Sequence, residues 1–184
     1  MLWFETIDNL NDAGALVRQR RYGVICVEGG DFRGLSFRPW PKLISRLEIV
    51  TLGRRKHAQG GDHCRLYYNL PLSSPGFLTL AYIESTRQTS WKTLRRSAEV
   101  LDWVAAHRRV HATVCELSNE RISTRLMQRI GWETHCEHLA GRHFIKRYYG
   151  EYPQHAWLPA VGSLPGHFRH ESLGCDETFD TSLS

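Results

Sequence analysis

A mixed α/β fold is predicted for this chain, on three observations. Residues 77–83 are nearly all apolar, the pattern of a central strand buried on both faces. Beyond them Trp91, Leu94, Ala98, Leu101 and Ala105 recur at spacings of three and four, one apolar stripe of a helix. A second β-rich run, 111–117, leads into another helical pattern that stops at Gly131 and is followed by two further strand-like runs, 132–138 and 142–149. Together these make residues 77–149 a strand–helix–strand–helix–strand–strand unit, the core of a single domain over 1–150.

The remaining elements follow from local chemistry. Residues 9–20 read as a short helix, with Asp12 early and Arg18 and Arg20 late, the order a helix dipole favours. Residues 22–28 read as a strand, Gly29-Gly30-Asp31 as a turn and 32–38 as the hairpin return. Pro39 and Pro41 break the pattern, and strands are expected at 47–52 and 64–70, separated by a basic loop over 53–62. The first long helix, beginning near Thr89 or Ser90, turns Arg95, Arg96, Glu99 and Asp102 away from its apolar stripe. Ser118 or Asn119 can cap the second, over 119–130, which sets Ile122, Leu126 and Ile130 on one face. From Gly150 onward, Pro153, Pro159 and Pro165 indicate an extended tail, with Trp157 and Leu158 as its anchors.

Composition narrows the function. At 184 residues with 41% hydrophobic content the chain can bury a core. No apolar run approaches the ~20 residues of a membrane helix, and the N-terminus lacks the charged-then-apolar order of a secretory signal. Five scattered cysteines fit the reduced thiols of a cytoplasmic protein better than a disulfide framework. The net charge of +5 is uneven: residues 151–184 hold five acids against Arg169, a local −4, which leaves +9 on residues 1–150. A basic body with an acidic tail points to an anionic partner, to the tail itself, or to solubility alone.

The stretch Ser118-Asn119-Glu120-Arg121-Ile122-Ser123-Thr124-Arg125-Leu126-Met127-Gln128-Arg129-Ile130-Gly131-Trp132, within this order of elements, resembles the GNAT superfamily of acyl-CoA-dependent N-acyltransferases. The resemblance covers roughly 77–149. It implies acetyl-CoA or another acyl-CoA lying between strands 77–83 and 111–117, against Tyr82, Ile83 and Asn119. The pyrophosphate would rest on the loop Arg87-Gln88-Thr89-Ser90-Trp91-Lys92, where helix N–H groups and the dipole favour an anion. Arg87 fits the family loop, but Ser90 and Lys92 stand where the family has glycines. Either altered contacts through Thr89, Ser90 and Lys92 hold a phosphate, or the loop has closed and Trp91 is the first core residue of the helix.

The resemblance further implies a Glu or a water as base and a Tyr as acid toward the leaving thiolate. Glu84 and Glu116, near the ends of the two central strands, are the candidate bases, and alternation puts Glu116 on the face of Ala112 and Val114. Met127 occupies the acid position and has no proton to give, so Tyr148 or Tyr149 is the substitute. The acceptor would be a small-molecule or protein amine. The competing expectation is a non-catalytic module of the same fold, binding nucleic acid nonspecifically or a protein through Arg121, Arg125 and Arg129 and the clusters around Arg54 and Arg142. No metal site is expected: the densest histidines, His135 and His138, point to opposite faces of a strand, and no CxxC or HExxH is present.

Overall fold

The computed structural model describes residues 5–42, 60–117 and 122–161. It shows the expected α/β class: among these residues, eight strands form one mixed sheet, with helices packed on it. In chain order these are β1 (Thr6–Ile7), α1 (Gly14–Gln19), β2 (Tyr22–Glu28), β3 (Asp31–Phe37), β4 (His63–Asn69), β5 (Phe77–Ser85), α2 (Trp91–Arg108), β6 (Ala112–Glu116), α3 (Thr124–Arg129), β7 (Glu133–Thr134) and β8 (His143–Arg147). The sheet order is β1-β3-β2-β4-β5-β6-β8-β7. The pair β5–β6 is parallel and the other pairs are antiparallel. The unit over 77–149 is therefore present in its expected order.

The hairpin β2–β3 turns on Gly29 and Gly30, with φ of 61° and 80°, the two positive angles a tight twisted turn needs. At the end of α3, Gly131 (φ 83°) lets Trp132 N–H reach Met127 O at 3.1 Å and its own N–H reach Gln128 O at 3.0 Å. That pair of bonds closes the helix end and delivers Trp132 to the core.

Several expectations need correction. The helix over 9–20 is split into a 3-10 turn, Leu10–Asp12, capped by the Asn9 side chain, and the six-residue α1. Helix α3 starts at Thr124, because the Ser123 hydroxyl accepts from Leu126 N–H at 3.2 Å and supplies the cap. Ile122 therefore precedes the helix, and Met127 is its fully buried residue. The strand expected over 132–138 shrinks to two residues, since Cys136 takes a left-handed conformation and its carbonyl accepts from Leu139 N–H in a turn. Strand β5 is not buried on both faces: Leu78 and Leu80 are, while residues 81–83 are half-buried and Phe77 is exposed. The strand expected over 47–52 lies outside the described residues, as does most of the loop 53–62.

The largest departure concerns α2. Residues 97–107 are buried all the way round, including Glu99 and Asp102 on the face expected to meet solvent. Residues 152–159 lie across that face. Tyr152 OH donates to Val110 O (3.0 Å), Trp103 Nε1 to Pro159 O (3.0 Å) and Trp157 Nε1 to Glu99 Oε2 (2.6 Å). The Arg96 guanidinium stacks 3.9 Å from the centre of a Trp157 ring. From the sheet side, Lys146 Nζ bonds Asp102 Oδ2 at 2.7 Å and Ile130 O at 2.9 Å, tying β8 to α2 and to the end of α3. Among the described residues no helix is long and apolar enough to cross a membrane.

Candidate active site

The parallel ladder of β5 and β6 has four pairs, Phe77↔Ala112, Leu78↔Thr113, Thr79↔Val114 and Leu80↔Cys115, and then stops. Strand β5 runs on to Ser85 beside β4, through Ile83↔Leu66, Glu84↔Arg65 and Ser85↔Cys64. Strand β6 stays with β8, through Glu116↔His143 and a bond from Leu117 N–H to Arg142 O of 2.8 Å. The two central strands thus part into a V.

A bulge sits at the parting. Tyr67 faces Tyr82 and Tyr68 faces Leu80, so Ala81 is an extra residue in β5. An inserted residue bends its strand and raises its twist, which turns β5 from β6 just past their last shared pair. The ladder to β6 ends at Leu80, and residues 81–85 run on beside β4.

The V opens beside the loop at the N-terminus of α2. There Ser90 caps the helix, its hydroxyl accepting from Thr93 N–H at 3.2 Å. Ser90 N–H does not wait for a ligand: it donates to Asp62 Oδ1 at 2.7 Å. The segment around Asp62 is fastened to the same loop. Gly61 N–H donates to Gln88 Oε1 (2.7 Å), Thr89 Oγ1 to His63 O (2.7 Å) and Thr86 Oγ1 to Gly61 O. Partial burial pushes the Asp62 carboxyl upward, but hydrogen bonds from Ser90 N–H and from the Thr93 and Ser90 hydroxyls, with the charge of His63, outweigh it and hold it below its ordinary value.

Of the residues expected to hold a cofactor, Gln88, Thr89 and Ser90 are therefore gathered at the helix end, in contact with this segment. Arg87 is exposed beside them, and Lys92 is exposed with its Nζ 3.7 Å from Asp31 Oδ1. Tyr82 and Ile83 lie past the bulge, on opposite faces of β5. Asn119 lies outside the described residues, as does Arg121. Trp91 is exposed, not a core residue, because the helix enters the core only from Thr93 onward; the Arg129 guanidinium lies 5.8 Å from its ring centre. Arg125 and Arg129 are both exposed on α3.

The candidate acid and bases are not brought together. Glu84 is buried on the face away from α2, where Tyr67 OH donates to Oε2 (3.2 Å) and Arg65 lies 3.5 Å from Oε1. Hydrogen bonding to Cys26 and the Glu84 charge hold the Arg65 guanidinium above its ordinary value, against partial desolvation. Glu116 is exposed and is the first β6 residue past the last parallel pair. Tyr148 is buried on the α2 face, its hydroxyl 2.9 Å from Thr113 Oγ1 and donating to Asp102 Oδ1 at 3.1 Å. Burial and the Asp102 charge push that phenol well up. Asp62, Arg65 and Tyr67 were not singled out in the sequence; Asp62 carries no signal beyond its place at the end of a basic loop. Among the described residues no three His, Cys, Asp or Glu side chains gather as metal ligands.

No protein-family model matches this chain, and no curated protein matches it in sequence. Among solved structures, the chain is similar to the crystal structure of nourseothricin acetyltransferase. The identity is 11%, the match covers 78% of this chain and 98% of that one, and the TM-score is 0.39, a level at which the likeness carries no argument about chemistry.

Proposed function

We propose that the chain is an acyl-CoA-dependent N-acyltransferase, taking acetyl-CoA or another acyl-CoA and a small-molecule or protein amine. One observation carries the reading: the parallel pair β5–β6 parts after Leu80↔Cys115, with a bulge at Ala81. A strand that runs on past the end of a ladder can offer its backbone to an extended ligand rich in amides. The pantetheine arm of CoA is such a ligand, and residues 81–83 are where it would bind.

Of the two carboxylates, geometry favours Glu116 as base. It is exposed at the point of the V, whereas Glu84 is buried, engaged by Tyr67 and Arg65, and three residues past the bulge, roughly 10 Å along the strand. Glu116 takes a proton from the incoming ammonium. The free amine attacks the thioester carbon, the nitrogen gives its extra proton to solvent, the C–S bond breaks as the tetrahedral intermediate collapses, and the thiolate is protonated by solvent. Tyr148, committed to Asp102 and Thr113, holds β8 in this reading. Thiol release from acetyl-CoA with a panel of amines tests it: Glu116→Gln lowers kcat about 100-fold or more with acetyl-CoA affinity unchanged. Equal kcat in the variant removes Glu116 from the role.

A second reading rests on Asp62. Its carboxylate occupies the helix end where a pyrophosphate would sit, which suits a non-catalytic module binding nucleic acid or protein through its basic surface. Arg125→Glu with Arg129→Glu then abolishes RNA retention at low salt; unchanged retention removes the nucleic-acid form.

A further inference from the structure

We propose that Asp62 is an internal competitor for the phosphate position of the acyl-CoA site, an autoinhibitory contact built into the fold. The inference rests on the acyltransferase reading above and concerns how that site is regulated. Three features of the contact carry it.

The first is what the carboxylate touches. Asp62 Oδ1 accepts from Ser90 N–H at 2.7 Å, a donor at the positive end of the 18-residue helix α2. That end attracts one anion, and the anion present belongs to the chain. The second is that the neighbours of Asp62 engage the rest of the same loop. Gly61 and His63 meet Gln88, Thr89 and Thr86, so the polar side chains that could turn to a phosphate are turned to this segment instead. The third is that the contact is anchored from outside: Gly29 N–H, in the β2–β3 turn, donates to Asp62 O at 2.7 Å. The carboxylate is presented to the helix end by backbone held at the β2–β3 turn.

The position is not exhausted by one carboxylate. The N–H groups of Trp91 and Lys92, next in the first turn of α2, have no acceptor among the described residues. Arg87 and Lys92 stand exposed on either side. A pyrophosphate carries more charge and more acceptor oxygens than Asp62 and can recruit these groups, so it displaces the carboxylate at a cost in affinity. Asp62 thus sets a threshold on cofactor binding that a plain capping residue would not set.

The difference is testable, because a structural cap and a competitor respond oppositely to loss of charge. Binding of coenzyme A and of pantetheine, which lacks the phosphates, is measured by calorimetry on the full chain and on Asp62→Asn. Asn keeps an oxygen acceptor for Ser90 N–H and removes only the charge. Asp62→Ser, which keeps a hydroxyl acceptor, gives the same comparison should the Asn variant not fold. Competition predicts about tenfold tighter coenzyme A binding in the variant with pantetheine binding unchanged. If the parent chain binds coenzyme A and the variant binds it equally or more weakly, the competitor role is overturned and the acyltransferase reading stands. An equal gain for pantetheine also overturns it, since the effect is then not on the phosphates. If no protein binds either compound at millimolar concentration, the acyltransferase reading itself fails, and the inference with it.

Discussion

Charged side chains in the interior carry much of this molecule's specificity at the scale of single residues. Lys146 is the clearest case: its ammonium reaches a carboxylate on α2 and the carbonyl of Ile130, the residue after α3, from a strand of the sheet. Removing it leaves Asp102 buried with its ammonium partner gone, though Tyr148 OH still donates to it. Lys146→Met is therefore expected to cost about 3–5 kcal/mol in urea unfolding, the range for an orphaned buried charge. His155 adds to the same cluster, with Nδ1 3.8 Å from Glu99 Oε1 and Nε2 3.6 Å from Asp102 Oδ2. Asp62 makes a different prediction. Its carboxyl is held below 3.8, so the folded state binds that proton less readily than the unfolded state does. Its contribution to stability is in full force above pH 3.8 and fades as the pH falls below that through the folded value. In thermal melts across this range, the stability gap between the chain and its Asp62→Asn variant narrows on acidification; a gap constant with pH would show that the charge does not matter.

Among the elements, what could be read from sequence was what short-range chemistry decides. The Gly29-Gly30 turn, the Gly131 helix stop and the apolar stripe from Leu94 to Ala105 each follow from backbone sterics or side-chain period, and each is present. On the polar face of α2 the misses come from partners distant in the chain. Glu99 and Asp102 lie on the polar face of α2 by period, yet Trp157, His155 and Lys146 cover them. Trp91 lies on the apolar stripe by period, yet it is exposed, with the Arg129 guanidinium 5.8 Å from its ring centre. One helix end was not marked by composition: α2 closes through Arg109 at φ 51°, with Val110 N–H reaching Ala105 O at 3.2 Å. This is the geometry a glycine adopts without strain. Arg109→Gly is thus expected to raise stability by about 1 kcal/mol, read as a higher Tm, whereas a lower Tm would mean that the arginine side chain contributes more than its backbone costs.

The whole molecule is a mixed sheet opened along its middle. Two strands that begin in register at Phe77 and Ala112 end on separate antiparallel halves, one led by β4 and the other by β8. The order of elements around that opening was legible, because buried strands and amphipathic helices leave periodic traces. The opening was not, because a bulge at Ala81 leaves no mark in a run of apolar residues. Nor was the seating of Asp62, which depends on a loop meeting a helix end some thirty residues away. The central claim is that the stretch of β5 past its ladder with β6 receives an acyl-CoA. Hydrogen exchange with and without saturating acetyl-CoA tests it most directly. The account predicts slowed exchange confined to residues 81–85 and to the start of α2 near Trp91 and Lys92. Unchanged exchange there at millimolar acetyl-CoA would contradict it.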